Sequence, residues 1–162
     1  DRVEVDVLFG LLPEGVEMPM LMADFRYVPG QTFDLDPRSF LEDGTTIRVS
    51  LAGRIVDGRL DAGPGSLTLT VPFEMDTVEL DLKRVRSRFD ITETGLARGV
   101  IGGSLDVEET AMRLAEVTDF DAATLEIILN GSADLDRIDG RCRSVSIGLV
   151  FDGTTAVKGV VR

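Results

Sequence analysis

In Thr46-Ile47-Arg48-Val49-Ser50-Leu51-Ala52-Gly53-Arg54-Ile55-Val56-Asp57-Gly58-Arg59-Leu60-Asp61, apolar and polar residues alternate up to an Asp-Gly pair, after which the chain starts back. Successive side chains of a strand point to opposite faces, so this alternation marks a strand with one wet face. Ile47, Val49 and Leu51 share the other face. Asp57-Gly58 supplies the two residues that a type I′ turn needs, so the stretch reads as a β-hairpin.

The same period recurs outward from there. Val3, Val5 and Val7 alternate with Arg2, Glu4 and Asp6. Leu67, Leu69 and Val71 define a strand, Val78, Leu80 and Leu82 another, and Val85, Phe89 and Ile91 a third. A short strand runs from Gly95 through Ile101. Val145, Ile147, Leu149 and Phe151 share one face, and Asp152-Gly153 is expected to turn a last hairpin closed by Ala156 to Val161. One stretch changes period. Ser104 or Asp106 can cap a helix with Glu108 and Glu109 in its first turn, and Asp121 can cap a second one ending at Asn130-Gly131. The expected fold is mainly β: an antiparallel β-sandwich or flattened barrel, in one domain over residues 1–162, with a short helical pair near residues 106–130. An α+β arrangement is the alternative. The expected core is Val49, Leu51, Leu67, Leu69, Val71, Leu80, Leu82, Phe89, Ile91, Leu114, Leu125, Ile147, Leu149 and Phe151.

Twenty-nine acidic residues against 17 basic ones give the 162-residue chain a net charge of -12, which repels phosphate backbones and anionic membranes. The acids are spread along the sequence, which suits solubility. No apolar run approaches the roughly 20 residues of a membrane-spanning helix. With no histidine, the chain lacks the commonest general base and transition-metal ligand. Cys142 is the single cysteine, so no internal disulfide forms. Any signal peptide is expected upstream of Asp1.

Leu51 to Asp61, Gly99-Val100-Ile101-Gly102-Gly103-Ser104, Ala133-Asp134-Leu135-Asp136, Asp139-Gly140-Arg141-Cys142 and Ser144-Val145-Ser146-Ile147-Gly148 together resemble a group of predicted secreted lipoproteins and envelope proteins of deltaproteobacterial and myxobacterial genomes. The resemblance covers roughly residues 45 to 162 and implies an exported or cell-envelope β-domain, placed in the periplasm or at the outer membrane. It brings no catalytic residues. The group's aspartate loop reads Asp-x-Asp-x-Asp-Gly, whereas here Ile138 takes the third aspartate's place and Asp139 follows one position late.

Asp134, Asp136 and Asp139 come nearest to a metal site. A hard cation such as Ca²⁺ needs six to eight oxygens, and alternating carboxylates on a glycine-containing turn supply several. No glutamate follows at the twelfth position, where Val145 sits, and the competing reading is a plain solvated turn. Met18, Met20 and Met22 would align soft thioethers suited to Cu(I), or else fill a core. Pairs of acids admit a hydrolase, but one tyrosine and no tryptophan leave little to stack on sugar rings. Ser104, Ser144 and Ser146 have no histidine to activate them. Arg141 and Arg143 flank Cys142, which reads better as a small core residue. Arg86 and Arg88, within the basic run Lys83-Arg84-Arg86-Arg88, are expected to pair acids on a neighbouring strand. The function expected is therefore a non-catalytic exported or envelope module that binds a protein partner or envelope complex. It carries no cofactor, unless Ca²⁺ occupies the aspartate loop, and it binds no nucleic acid.

Overall fold

The computed structural model describes residues 1–8, 10, 29–73, 76–92 and 97–162. In chain order the elements are β1 (Arg2–Val7), β2 (Gln31–Leu35), a 3₁₀ turn (Pro37–Ser39), β3 (Val49–Val56), β4 (Arg59–Phe73), β5 (Asp76–Ile91), β6 (Ala97–Asp106), α1 (Val107–Ala115), α2 (Ala122–Asn130), β7 (Ser144–Gly153) and β8 (Ala156–Val161). Six strands form one sheet in the order β1-β3-β4-β5-β6-β7, and β2 pairs with β8 in a second. This is the mainly β architecture with a helical pair that the alternation predicts. The end strands β1 and β7 do not pair with each other among the described residues.

Two compact units divide the chain. The first comprises Asp1–Ala62, Arg88–Gly99 and Val150–Arg162, and the second Gly63–Ser87 and Val100–Leu149.

In the first unit, Asp57 and Gly58 take φ of 50° and 75°, the type I′ pair, and close the β3–β4 hairpin in the register Val56↔Arg59, Ile55↔Leu60, Arg54↔Asp61. β1 runs antiparallel along the other side of β3. Leu51, Leu60 and Ala62 are buried, as are Leu35 and Phe40. On the wet face, Arg59 Nε donates to Asp90 at 2.7 Å and Arg88 Nε to Asp61 at 2.6 Å, so residue numbers fall on β5 as they rise on β4. The cross-strand pairing expected of Arg88 is therefore present, while Arg86, in the second unit, is exposed and has no partner among the described residues. Phe89 and Phe151 meet edge to face at 5.9 Å over Gly99, where a Cβ would strike both the Phe89 side chain and the Arg88 carbonyl. The last hairpin does not form. Asp152 and Gly153 stay within β7, where Arg98 on β6 holds the Asp152 carboxylate at 2.8 Å, and β8 pairs parallel to β2 instead. Ile91 is also 46% exposed rather than core; it is the last residue of β5 and stands opposite the β3–β4 turn, where its N donates to the Gly58 carbonyl at 2.8 Å.

In the second unit the expected boundary between Leu82 and Val85 disappears. β5 is one 16-residue strand whose buried positions run Val78, Leu82, then Val85, Ser87. The change from even to odd positions is the mark of an inserted residue, and Arg84 between them takes φ of 56° inside the strand. A β-bulge explains both. Opposite it on β4, Gly63 takes φ of 103°, and a Cβ there would collide with the Val85 carbonyl oxygen. Leu67, Leu105, Val107, Ala111 and Leu125 complete the buried set. Leu149, expected in the core, is 44% exposed because β7 ends its sheet and has a neighbour on one side. Asp106 caps α1 by accepting from Glu109 N, and Asp121 caps α2 by accepting from Thr124 N.

Gly63→Ala is expected to destabilise the protein by about 2–3 kcal/mol, since it combines left-handed strain with a backbone collision. Thermal melting should show a fall of roughly 5–10 °C. A melting temperature equal to wild type would refute the tight Gly63–Val85 approach.

Candidate functional site

The aspartate loop is a small hairpin. Ile138 N donates to Arg141 O at 2.8 Å and Arg141 N to Ile138 O at 2.9 Å, and between them Asp139 (φ 50°) and Gly140 (φ 82°) form a two-residue turn of type I′ character. Asp139 is there for turn geometry. Asp134 accepts from Ser146 through both its backbone N (2.8 Å) and its hydroxyl (2.5 Å). Asp136 accepts from Arg84 Nη1 at 2.6 Å, from Arg84 Nη2, and from Ser144 Oγ at 2.6 Å. Arg84 Nη2 also reaches Ser104 Oγ at 3.0 Å, and Ser104 in turn donates to the Lys83 carbonyl at 3.4 Å. Ser104 and Ser144 are both buried. The bulge at Arg84 thus aims a guanidinium at β6 and at the hairpin that precedes β7.

These contacts decide the electrostatics. The Arg84 guanidinium, followed by the Ser144 hydroxyl, holds the Asp136 carboxyl below its ordinary value. Ser146, through hydroxyl and backbone, does the same for Asp134. The structure thus brings Asp134 and Asp136 to one end of β7, where arginine and hydroxyl donors already engage their oxygens, and leaves Asp139 on the turn. Among the described residues no group of three or more His, Cys, Asp or Glu stands so as to hold a metal ion. Cys142 is half-buried with a free thiol. Met18, Met20 and Met22 lie outside the described residues. Arg84 at the centre of the network is what sequence reasoning missed. Nothing local signals it, because its partners stand 20 and 52 residues away.

The other feature of the second unit is the helical pair. At 100° per residue, Leu125, the buried residue of α2, points almost opposite to Ile127, while Ile128 stands about 60° from Leu125 at the edge of the buried side. Those two are 74% and 58% exposed. Met112 on α1 and Phe120 in the connection are also more than half exposed. On α1, Glu108, Met112 and Glu116 follow at intervals of four, so they form one stripe, and all three line one shallow cleft. Glu108 also lines a neighbouring cleft of about 220 Å³ with Val107, Glu126, Asn130, Ile138 and Arg143. Ile138 there is itself 54% exposed. This surface has no nucleophile–base pair, and its large apolar side chains meet water.

No family model, curated protein or solved structure matches the chain.

Asp136→Asn removes the charge that Arg84 grips, so it is expected to lower the melting temperature at pH 7. Because the folded-state value of Asp136 is depressed, its contribution is present above the ordinary 3.8 and is lost as pH falls through the folded value. Wild type and variant should therefore converge on acidification below that point. A gap that persists unchanged at pH 2 would contradict the Arg84–Asp136 assignment. Calcium at about 1 mM is expected to leave the wild-type melting temperature unmoved, since ligation would require displacing Arg84.

Proposed function

We propose that the chain is a non-catalytic protein-binding module of the exported or cell-envelope class, acting as an accessory subunit of a larger complex. The observation that carries this reading is α2 itself, where Ile127 and Ile128 both present branched apolar side chains to water. Large exposed apolar residues gathered on one element mark interaction surfaces more often than they mark active sites. The polar machinery supports the same reading. Ser104, Ser144 and Ser146 donate to the Lys83 carbonyl, Asp136 and Asp134 respectively, so each hydroxyl is committed to the fold. A net charge of -12 argues against nucleic acid and anionic membrane as partners. The envelope assignment rests on the resemblance of residues 45 to 162 to secreted lipoproteins.

A photo-crosslinking amino acid at position 127 tests the reading in native membranes. The expected result is a discrete adduct that Ile128→Ser weakens at least about fivefold. An unreacted protein, or adducts equally strong from a probe on the wet face of β3 at Ala52, would sink it.

A further inference from the structure

β1 ends the six-stranded sheet, and the phase of its ladder decides which backbone groups face outward. Asp1 N donates to the Ile55 carbonyl at 3.1 Å, and Ile55 N to the Asp1 carbonyl at 3.0 Å. That reciprocal pair, carried along the register from Arg2↔Arg54 to Val7↔Val49, points the N–H and C=O of Val3, Val5 and Val7 at β3. Arg2, Glu4 and Asp6 therefore aim theirs away from β3, and no strand among the described residues receives them. Their side chains share the wet face. There Arg2 and Arg54 stand directly opposite one another, and neither has a carboxylate partner among the described residues. Asp61, opposite Arg54 on β4, is already engaged by Arg88 at 2.6 Å. Like charges set face to face across a ladder destabilise it. The row Arg88–Asp61–Arg54–Arg2 thus lacks a carboxylate at its outer end.

Independently of the protein-binding reading, we infer that β1 pairs antiparallel with β1 of a second copy of this chain, about a two-fold axis at Glu4. Arg2 then lies opposite Asp6 of the second copy, and Asp6 opposite its Arg2, so each end of the paired edge gains the carboxylate that the arginine row lacks. The outward residues fall upon one another, so every N–H they present meets a carbonyl. Val3 and Val5, both half-buried in the single chain, meet on the opposite face. Sequence order selects this occupant and this register. Sliding one way sets Glu4 against Asp6, and sliding the other leaves only residues 2–4 overlapping. In-register parallel pairing would oppose Arg2 to Arg2 and Asp6 to Asp6. Glu4 against Glu4 on the axis is the one repulsive pair, and it keeps the association weak. A patch that maps onto itself closes at two copies, joining the two six-stranded sheets into one.

Sedimentation equilibrium of the full chain tests this. The wild type is expected to show a monomer–dimer equilibrium between about 5 µM and about 1 mM, as suits so small an interface. Glu4→Pro deletes an outward N–H that β3 does not use, and should give monomer at every concentration with an unchanged circular dichroism spectrum. Glu4→Thr removes the axial repulsion and should tighten the dimer at least about threefold. Arg2→Asp sets aspartate against aspartate and should weaken it at least about fivefold. Adding Asp6→Arg to Arg2→Asp restores complementarity and should return the affinity to within about twofold of wild type. A wild type that stays monomeric to about 1 mM, a dimer that survives Glu4→Pro, or a double swap no tighter than Arg2→Asp alone overturns the inference. Where Glu4→Pro alters the spectrum, the double swap decides. A failed crosslink at position 127 would leave this dimer standing, and a monomeric chain would leave the partner reading standing.

Discussion

Arg84 is the constraint on which the second unit depends. A non-glycine residue at φ of 56° inside a 16-residue strand costs about 1–2 kcal/mol relative to extended backbone. The inserted residue lets one strand bury Val78 and Leu82 before the step and Val85 and Ser87 after it, a pattern that regular pleating forbids. The same backbone turn delivers the guanidinium to Asp136 and Ser104, tying β5, β6 and the loop before β7 into one network. Charge-assisted bonds to a carboxylate are the strong class of hydrogen bond, and a planar fork that meets both carboxylate oxygens is a task lysine cannot perform. A glycine would relieve the backbone and lose the grip.

That arrangement also accounts for the character of the aspartate loop. Alternating aspartates ahead of a strand look like cation ligands because the same residue type serves turns, caps and metals. Here each position has a separate use. Asp139 adopts left-handed backbone, Asp134 braces Ser146, and Asp136 receives Arg84. The hydrogen bonds that satisfy Asp134 and Asp136 rigidify this end of β7.

What could be read from the sequence was whatever depends on neighbours within a few residues. Asp57-Gly58 announced its turn, Asp106 and Asp121 their helices, and alternation the mainly β class. Contacts distant in sequence could not be read. The parity change at Arg84 looked like a chain break, since a bulge and a boundary interrupt alternation identically. Asp152-Gly153 carried the same letters as Asp57-Gly58 yet stayed in β7, because Arg98 engages Asp152 across the ladder and β2 offers β8 another partner. Ile91 and Leu149 showed the strand period faithfully. Their exposure depends on position at a strand end or sheet end, which periodicity does not encode.

The helical pair poses a different question: why these residues, given that others would make a better helix. α2 has nine residues, short of the 12–15 that an isolated helix needs for even marginal stability, so it depends on its Asp121 cap and on the buried Leu125. Ile127, turned away from Leu125, contributes to neither, and Ile128 is more than half exposed. β-Branched side chains lose rotamer freedom in a helix, and alanine, glutamate or lysine at those exposed sites would favour it more by a few tenths of a kcal/mol each. Exposed isoleucines also carry an aggregation hazard that a charge would remove. Local stability and solubility both argue against exposed isoleucines at 127 and 128. A helix that accepts those penalties at its surface has the apolar exposure expected of an element that another molecule covers.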